Sequence, residues 1–153
     1  MNKDEFYMSM ALKEASVAYE KDEVPVGAVI VYKGNVIARA HNQVKLLKDP
    51  TAHAEIIAIT QASNYLQNER LIGCSMYVTI EPCSMCAGAM VLARIKELVY
   101  AAKDPKTGAC GSVINIVDNK TLNHKMIVRE GVLHKESSLL IKEFFREKRS
   151  KKT

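Results

Sequence analysis

The stretch SMYVTIEPCSMCAGAMVLARIKELVYAA, residues 75–102, has the clearest secondary-structure pattern in the chain. Its first part, residues 75–80, is rich in β-branched and aromatic residues and predicts a strand. Pro82 ends that strand and is tolerated at the start of the helix predicted over residues 83–94. Residues 97–102 predict a further strand. We therefore expect this stretch to fold as strand, helix and strand.

Hydrophobic periodicity predicts three more helices. The first covers residues 3–20, and its apolar positions at helical spacing are Phe6, Met10, Ala11, Ala15 and Ala18. The second covers residues 52–66, because the sequence DPT at residues 49–51 is a helix-start signal. The third covers residues 137–149 near the end of the chain and has apolar residues on one side.

The remaining strands complete a central sheet. Residues 26–40 predict a hairpin whose tight turn uses Gly34 to reach positive φ. Residues 126–133 predict a short strand interrupted at Gly131, residues 103–112 predict a loop, and residues 113–125 have no clear pattern. The order of elements predicts an α/β fold, a three-layer α/β/α sandwich around a mixed five-stranded sheet.

Composition indicates one folded domain over residues 1–153. The chain has 48% hydrophobic and 25% charged residues, and its four cysteines are too few for a disulfide scaffold. No apolar run approaches the ~20 residues of a membrane span. The amino terminus, MNKDEFYM, lacks the pattern of a signal peptide, so we expect a cytoplasmic protein with reduced cysteines.

Positive charge is concentrated at the carboxyl end. Of a net charge of +5, residues 142–153 supply +4, from six Lys or Arg and two Glu. We therefore expect a basic carboxyl-terminal helix and tail over residues 137–153. Such a segment favours a polyanionic partner, although a solvated helix end without a partner gives the same pattern.

Two short motifs at predicted helix starts carry the chemistry. Cys83 and Cys86 are three residues apart, so both sulfurs can point at one centre, and a helix amino terminus favours thiolates. His53 lies at a matching helix start. Two thiolates and one imidazole favour zinc, and three protein ligands leave a position for water. Glu55, two residues after His53, is the candidate proton acceptor for that water.

Other interpretations of these motifs remain open. Cys83 and Cys86 are also compatible with a dithiol redox motif, or with a structural zinc in a nucleic-acid-binding module. Cys74 and Cys110 have no partner at zinc spacing and are interpreted as ordinary thiols.

The pairing of HAE (53–55) with PCSMC (82–86) resembles the zinc-dependent cytidine and nucleobase deaminase superfamily. The longer stretches EVPVGAV (23–29), DPTAHAE (49–55) and KDPKTGACGS (103–112) are similar to the bacterial tRNA-specific adenosine deaminase family. This resemblance covers nearly the whole chain.

The resemblance implies hydrolytic deamination of the wobble adenosine to inosine in a tRNA anticodon, by a homodimer with one zinc ion per subunit. His53, Cys83 and Cys86 would hold the zinc ion and Glu55 would move protons. The implied substrate-binding residues are Asn42, Asp104, Asn123 and Phe145. Each of the four also has an ordinary structural interpretation, such as a turn or core position. The alternative within the superfamily is a deaminase of free nucleobases or nucleotides such as guanine or cytosine.

Overall fold

A five-stranded mixed sheet forms the middle layer of the structure, a computed structural model that describes residues 1–151. Its strands are β1 Gly27–Tyr32, β2 Asn35–His41, β3 Ser75–Ile80, β4 Glu97–Ala102 and β5 Ile127–Glu130. They lie in the order β2-β1-β3-β4-β5, and β1 is antiparallel to both of its neighbours, whereas β3, β4 and β5 are parallel. The predicted strands are confirmed.

Helices cover both faces of this sheet, which confirms the predicted three-layer sandwich. They are α1 Lys3–Glu20, α2 Val44–Leu47, α3 Ala54–Leu66, α4 Ser84–Ala93 and α5 His134–Lys151. Helices α3 and α4 pack on one face and α1 on the other, where α5 contacts it. The basic segment predicted to reach residue 153 is helical through Lys151, and its last two residues lie outside the described residues.

Two helices begin two or three residues away from their predicted starts, and one short helix is additional. Helix α3 begins at Ala54, because the Asp49 carboxylate accepts the N–H of Thr51 at 2.8 Å and closes a turn instead of starting a helix. Helix α2 has no counterpart among the helices predicted from the sequence. Helix α5 begins at His134, three residues before the predicted start.

The buried face of α1 also differs from the prediction. Phe6 is 51% exposed, and the fully buried residues of this face are Met8, Ala11, Ala15 and Ala18. A side chain at Gly27 on β1 would overlap the backbone oxygen of Ala11. Small residues on the helix and a glycine on the strand therefore let α1 lie directly on the sheet.

One arginine connects α1 to the edge of the sheet. Arg129 on β5 donates hydrogen bonds to Asp4 at 2.7 and 3.0 Å and to Glu97 on β4 at 2.9 Å. Tyr77 donates a further bond to Asp4 at 2.8 Å. The hydrogen bonds from Arg129 are the largest cause that lowers the pKa values of both carboxyls. This network fixes the amino end of α1.

No helix within residues 1–151 is long and apolar enough to span a membrane.

Replacing Arg129 with Met should lower the free energy of unfolding at neutral pH by roughly 1–2 kcal/mol, because the lost bonds involve a donor that solvent partly screens. Arg129 lowers the pKa values of Asp4 and Glu97, so its stabilising effect is present above their ordinary pKa values and is lost as the pH falls through the folded-state values. Denaturant unfolding of both proteins near neutral pH and near pH 3 checks this. A difference that stays constant between the two conditions would contradict it.

Candidate metal centre and active site

The amino ends of α3 and α4 meet beside the sheet and carry the predicted ligands. His53 and Cys83 occupy the residue before each helix, in extended backbone conformation, and neither side chain caps its own helix. Both side chains are therefore free to turn toward each other. Cys86 lies in the first turn of α4 and is fully buried.

These three side chains form one compact cluster. His53 Nδ1 lies 3.7 Å from Cys83 Sγ and 3.5 Å from Cys86 Sγ. All three donor atoms lie within 4.8 Å of one another, and they make up the one such group of three His, Cys, Asp or Glu residues found within residues 1–151. The structure thus brings together the residues that the sequence selected, and together they could hold a metal ion.

The electrostatics of the cluster favour a thiolate. Hydrogen bonds from Cys86 and His53 lower the pKa of Cys83 to about 3. The hydrogen bond with Cys83 raises the pKa values of both Cys86 and His53, because each then holds its proton against a thiolate. A bound cation would take the place of these protons and neutralise the sulfur charge.

Glu55 lies beside the cluster in the first turn of α3. It is 3% exposed, and burial raises the pKa of its carboxyl to about 7. The side chain lines the same cavity as His53 and Cys83. A carboxyl with this pKa can accept and return protons near neutral pH, as general acid–base catalysis requires.

The cluster opens into a cavity of about 770 Å³. Three of the predicted substrate-binding residues line it: Asn42, Asp104 and Phe145. Asn123 is exposed, and the structure does not bring it to this cavity. Its contact with a substrate therefore stays a prediction.

The hydrogen bonds of Asn42 and Asp104 hold backbone in place. Asn42 Oδ1 accepts the N–H of Ala54 at 2.8 Å, at the start of α3, and the residue lines the cavity. The Asp104 carboxylate accepts the N–H groups of Lys106 and Thr107 at 3.0 and 3.1 Å and shapes a turn in the loop. Asp104 thus starts a turn, as its structural interpretation expects, whereas Asn42 holds the start of α3 and not a turn. Both also lie in the cavity wall.

Phe145 is 42% exposed and lies at the cavity surface, so it is not an ordinary core residue. The neighbouring Phe144 is the buried one. Cys74 and Cys110 are buried free thiols, as the sequence indicated.

Sequence reasoning missed two buried carboxylates in the cavity wall. Glu23 is 3% exposed and accepts the N–H groups of Lys45 and Leu46 at 3.1 and 2.9 Å, so it caps α2. Glu81 is 2% exposed. Although burial raises the pKa of Glu81, hydrogen bonds, the largest from Ser112, lower it below its ordinary value. The only sequence signal for the burial of Glu81 is its position directly after the buried strand β3.

Comparison with known proteins agrees with this site. The profile of the MafB19-like deaminase family matches residues 1–149. The tRNA-specific adenosine deaminase of Aquifex aeolicus is 49% identical over 146 residues, which cover 95% of this chain and 96% of that protein. The chain belongs to the tRNA-specific adenosine deaminase family.

Solved structures extend the comparison. A structure from studies of A-to-I editing by tRNA:A34 deaminases at the wobble position of transfer RNA is 47% identical, with a TM-score of 0.86, and the match covers 88% of this chain and 98% of that chain. The guanine deaminase of Bacillus subtilis is 41% identical, with a TM-score of 0.63, but the match covers only 67% of this chain and 66% of that chain. This member of the adenosine deaminase family is thus similar over more of its length to the first structure.

Substitution of the three clustered side chains should abolish metal binding. We expect the purified protein to carry about one metal ion per chain, and His53→Ala or the double change Cys83→Ser with Cys86→Ser to lower this at least about tenfold, since three donors are the minimum set of such a site. Cys74→Ala, which removes a buried thiol outside the cluster, is the matched control and should keep the metal. Elemental analysis measures the content. An unchanged content in the double variant would place the metal elsewhere.

Proposed function

We propose that this protein hydrolyses the wobble adenosine of a tRNA anticodon to inosine and ammonia, with one zinc ion per chain. The observation that carries the proposal is the His53–Cys83–Cys86 cluster beside buried Glu55, in a chain of the tRNA-specific adenosine deaminase family. A tRNA substrate implies action in the cytoplasm.

The spacing of the donor atoms supports zinc as the ion. With Zn–S distances of about 2.3 Å and Zn–N distances of about 2.0–2.1 Å at tetrahedral angles, a sulfur and a nitrogen on one ion lie about 3.6 Å apart. The sulfur-to-Nδ1 distances of 3.7 and 3.5 Å in the cluster fit this value. Two thiolates and one imidazole also suit zinc by their softness.

Glu55 is the proposed proton carrier of the reaction. A zinc ion in the cluster supplies a Lewis acid that makes water nucleophilic near neutral pH. Glu55 would accept one proton of the water that attacks C6 of the adenine and deliver it to N1. It would then take the second proton from the new C6 hydroxyl and deliver it to the departing amine, so that the C6–N bond breaks and ammonia leaves as the carbonyl forms. Its burial keeps bulk water from competing for these protons, and its raised pKa suits both directions of transfer.

The surroundings of the cavity support an RNA substrate over a free base. Four lysines line it: Lys45, Lys103, Lys106 and Lys142. Within the described part of the chain, only the first two of these have a carboxylate at ion-pair distance. The other two are available to phosphates that flank the target base. The exposed ring of Phe145 offers a surface on which an unstacked loop base can lie.

We also propose a homodimer, formed through α4. This helix has no charged residue, and it buries one face on the sheet and on α3. A second apolar stripe at helical spacing faces outward and consists of Met85, Gly88, Ala89 and Leu92. Leu92 is 79% exposed. A helix that is apolar all round is normally buried, so this outward face should be covered. A second copy of this chain can cover it, because the same uncharged stripe on two subunits creates no charge repulsion.

The deamination assay decides between the proposed substrate and the superfamily alternative. We expect the zinc-loaded protein to form inosine in an anticodon stem-loop that carries a wobble adenosine, and to leave free guanine and cytosine unchanged. Mass spectrometry of the digested RNA measures inosine. Consumption of a free base with no inosine in the RNA would favour the alternative.

Glu55→Gln is the matched variant for this assay, because it keeps the size of the side chain but cannot accept a proton. It should keep bound zinc and lose at least about a hundredfold in turnover, the usual range for a general acid–base group. Loss of zinc from this variant would contradict the role given to Glu55.

Leu92→Glu should convert the dimer to a monomer, because a charge on the proposed interface would be buried without a partner. Leu139→Glu, a matched change of an exposed leucine on α5, should leave the dimer intact. Light scattering gives the mass of each. A monomeric wild-type protein, or a dimer that both changes leave intact, would contradict the α4 interface.

A further inference from the structure

Glu81 is a carboxylate buried at the end of β3, and it has no role in the chemistry derived above. It is 2% exposed and directly precedes Pro82 and the metal-ligand candidate Cys83. A buried charge is costly unless hydrogen bonds replace its hydration. Its partners therefore indicate what the residue holds in place.

All partners of this carboxylate lie in one loop, residues 103–112. Oε1 accepts the N–H of Asp104 at 3.0 Å and the hydroxyl of Ser112. Oε2 accepts the N–H groups of Cys110 and Ser112, both at 3.0 Å. Each oxygen thus takes two donors, and the bonds reach both ends of the loop.

The backbone of the same segment reinforces this contact. Ala109 donates its N–H to Pro82 O at 2.9 Å, and Cys83 forms a β-bridge with Gly108. A side chain on Gly108 would overlap the Glu81 carboxyl group. The loop is therefore shaped around this carboxylate.

The middle of the loop forms one wall of the cavity. Residues 103–107 line the same cavity as His53 and Cys83. One short segment, residues 81–83, therefore connects this wall to the cluster. Its first residue, Glu81, holds the loop through its carboxylate, and its last residue, Cys83, is a candidate metal ligand.

We propose that Glu81 is a positioning residue that sets the place of the substrate-contacting loop relative to the metal cluster, and so determines how well the RNA is bound. This inference rests on the proposed function for its substrate. Glu81 touches neither the substrate nor the metal in this proposal. It acts through the backbone of Asp104 and its neighbours.

Glu81→Gln tests the proposal with the smallest change of shape. The amide keeps one acceptor oxygen, but its NH₂ group cannot accept a backbone N–H. At least the bond from Asp104, or both bonds from Cys110 and Ser112, are therefore lost, depending on which way the amide is turned. We expect KM for the anticodon stem-loop to rise about tenfold or more, because small misplacements of positioning groups are costly. We expect kcat to change by less than about threefold and the zinc content to stay at its wild-type value, since Glu55 and the cluster are not altered.

Glu97→Gln is the matched control. Glu97 is also a largely buried carboxylate at the sheet, bonded to Arg129 and Ser75, but it does not line the cavity. We expect it to lower stability without changing KM. Ser112→Ala is the milder second variant in case Glu81→Gln does not fold. It removes the hydroxyl bond alone and should raise KM about threefold, in proportion to one lost hydrogen bond.

Hydrogen exchange supplies a readout that does not need activity. The amides of Asp104, Cys110 and Ser112 should exchange faster in Glu81→Gln than in the wild-type protein, and they should be unchanged in Glu97→Gln. Faster loop exchange together with raised KM, seen only in the Glu81 and Ser112 variants, supports the proposal.

Three results would overturn it. They are a wild-type KM in the Glu81 and Ser112 variants, loss of zinc from folded Glu81→Gln, or an equal rise of KM in Glu97→Gln. If the wild-type protein itself forms no inosine in RNA, the proposed function fails, and the exchange rates still decide whether Glu81 holds the loop.

Discussion

His53 Nδ1 reaches both sulfurs of the cluster because α3 and α4 begin at the same place beside the sheet. The last residue before each helix is extended, and its side chain leaves its own helix end uncapped. An amino end that its own preceding side chain does not cap presents N–H groups and the positive end of the helix dipole, which favour thiolates; at α3, Asn42 accepts one of these N–H groups. The side chains of His53 and Cys83 thus do not cap their own helices, and together with Cys86 they place an imidazole and two sulfurs at one point. The cavity, Glu55 and the loop over residues 103–112 are all arranged around that point.

The strand–helix–strand unit of residues 75–102 was predictable from sequence, because its signals are local. β-branched residues, Pro82 and the spacing of two cysteines each act within one turn or one strand. The pairing of Cys83 and Cys86 was predictable for the same reason, whereas His53 lies thirty residues away and was selected because it stands at a matching helix start. Helix α2 was not, because the cap of its amino end is Glu23, about twenty residues earlier in the chain.

The packing of α1 shows a second limit of sequence patterns. Helical periodicity alone does not tell whether Phe6 or Met8 lies on the buried side of α1. The close approach of the helix to Gly27 decides that Met8 is buried and Phe6 is exposed. The role of Glu81 was hidden for a related reason, since its partners lie more than twenty residues later along the chain. Side chains whose burial or hydrogen bonds depend on backbone far along the chain leave no local sequence pattern.

The four carboxylates that line the cavity divide into two kinds. Glu23, Glu81 and Asp104 accept backbone N–H groups of neighbouring segments, so their charge is used to hold the walls. Glu55 instead faces the cluster, where burial raises its pKa. Hydrogen bonds reduce the field of the first three, so a phosphate near Lys106 or Lys142 meets less repulsion than the count of acidic residues suggests. The same arrangement leaves Glu55 as the carboxyl beside the His53–Cys83–Cys86 cluster whose pKa lies near neutral pH. The cavity thus joins a buried carboxyl, Glu55, to a rim of exposed lysines, as the proposed RNA substrate requires.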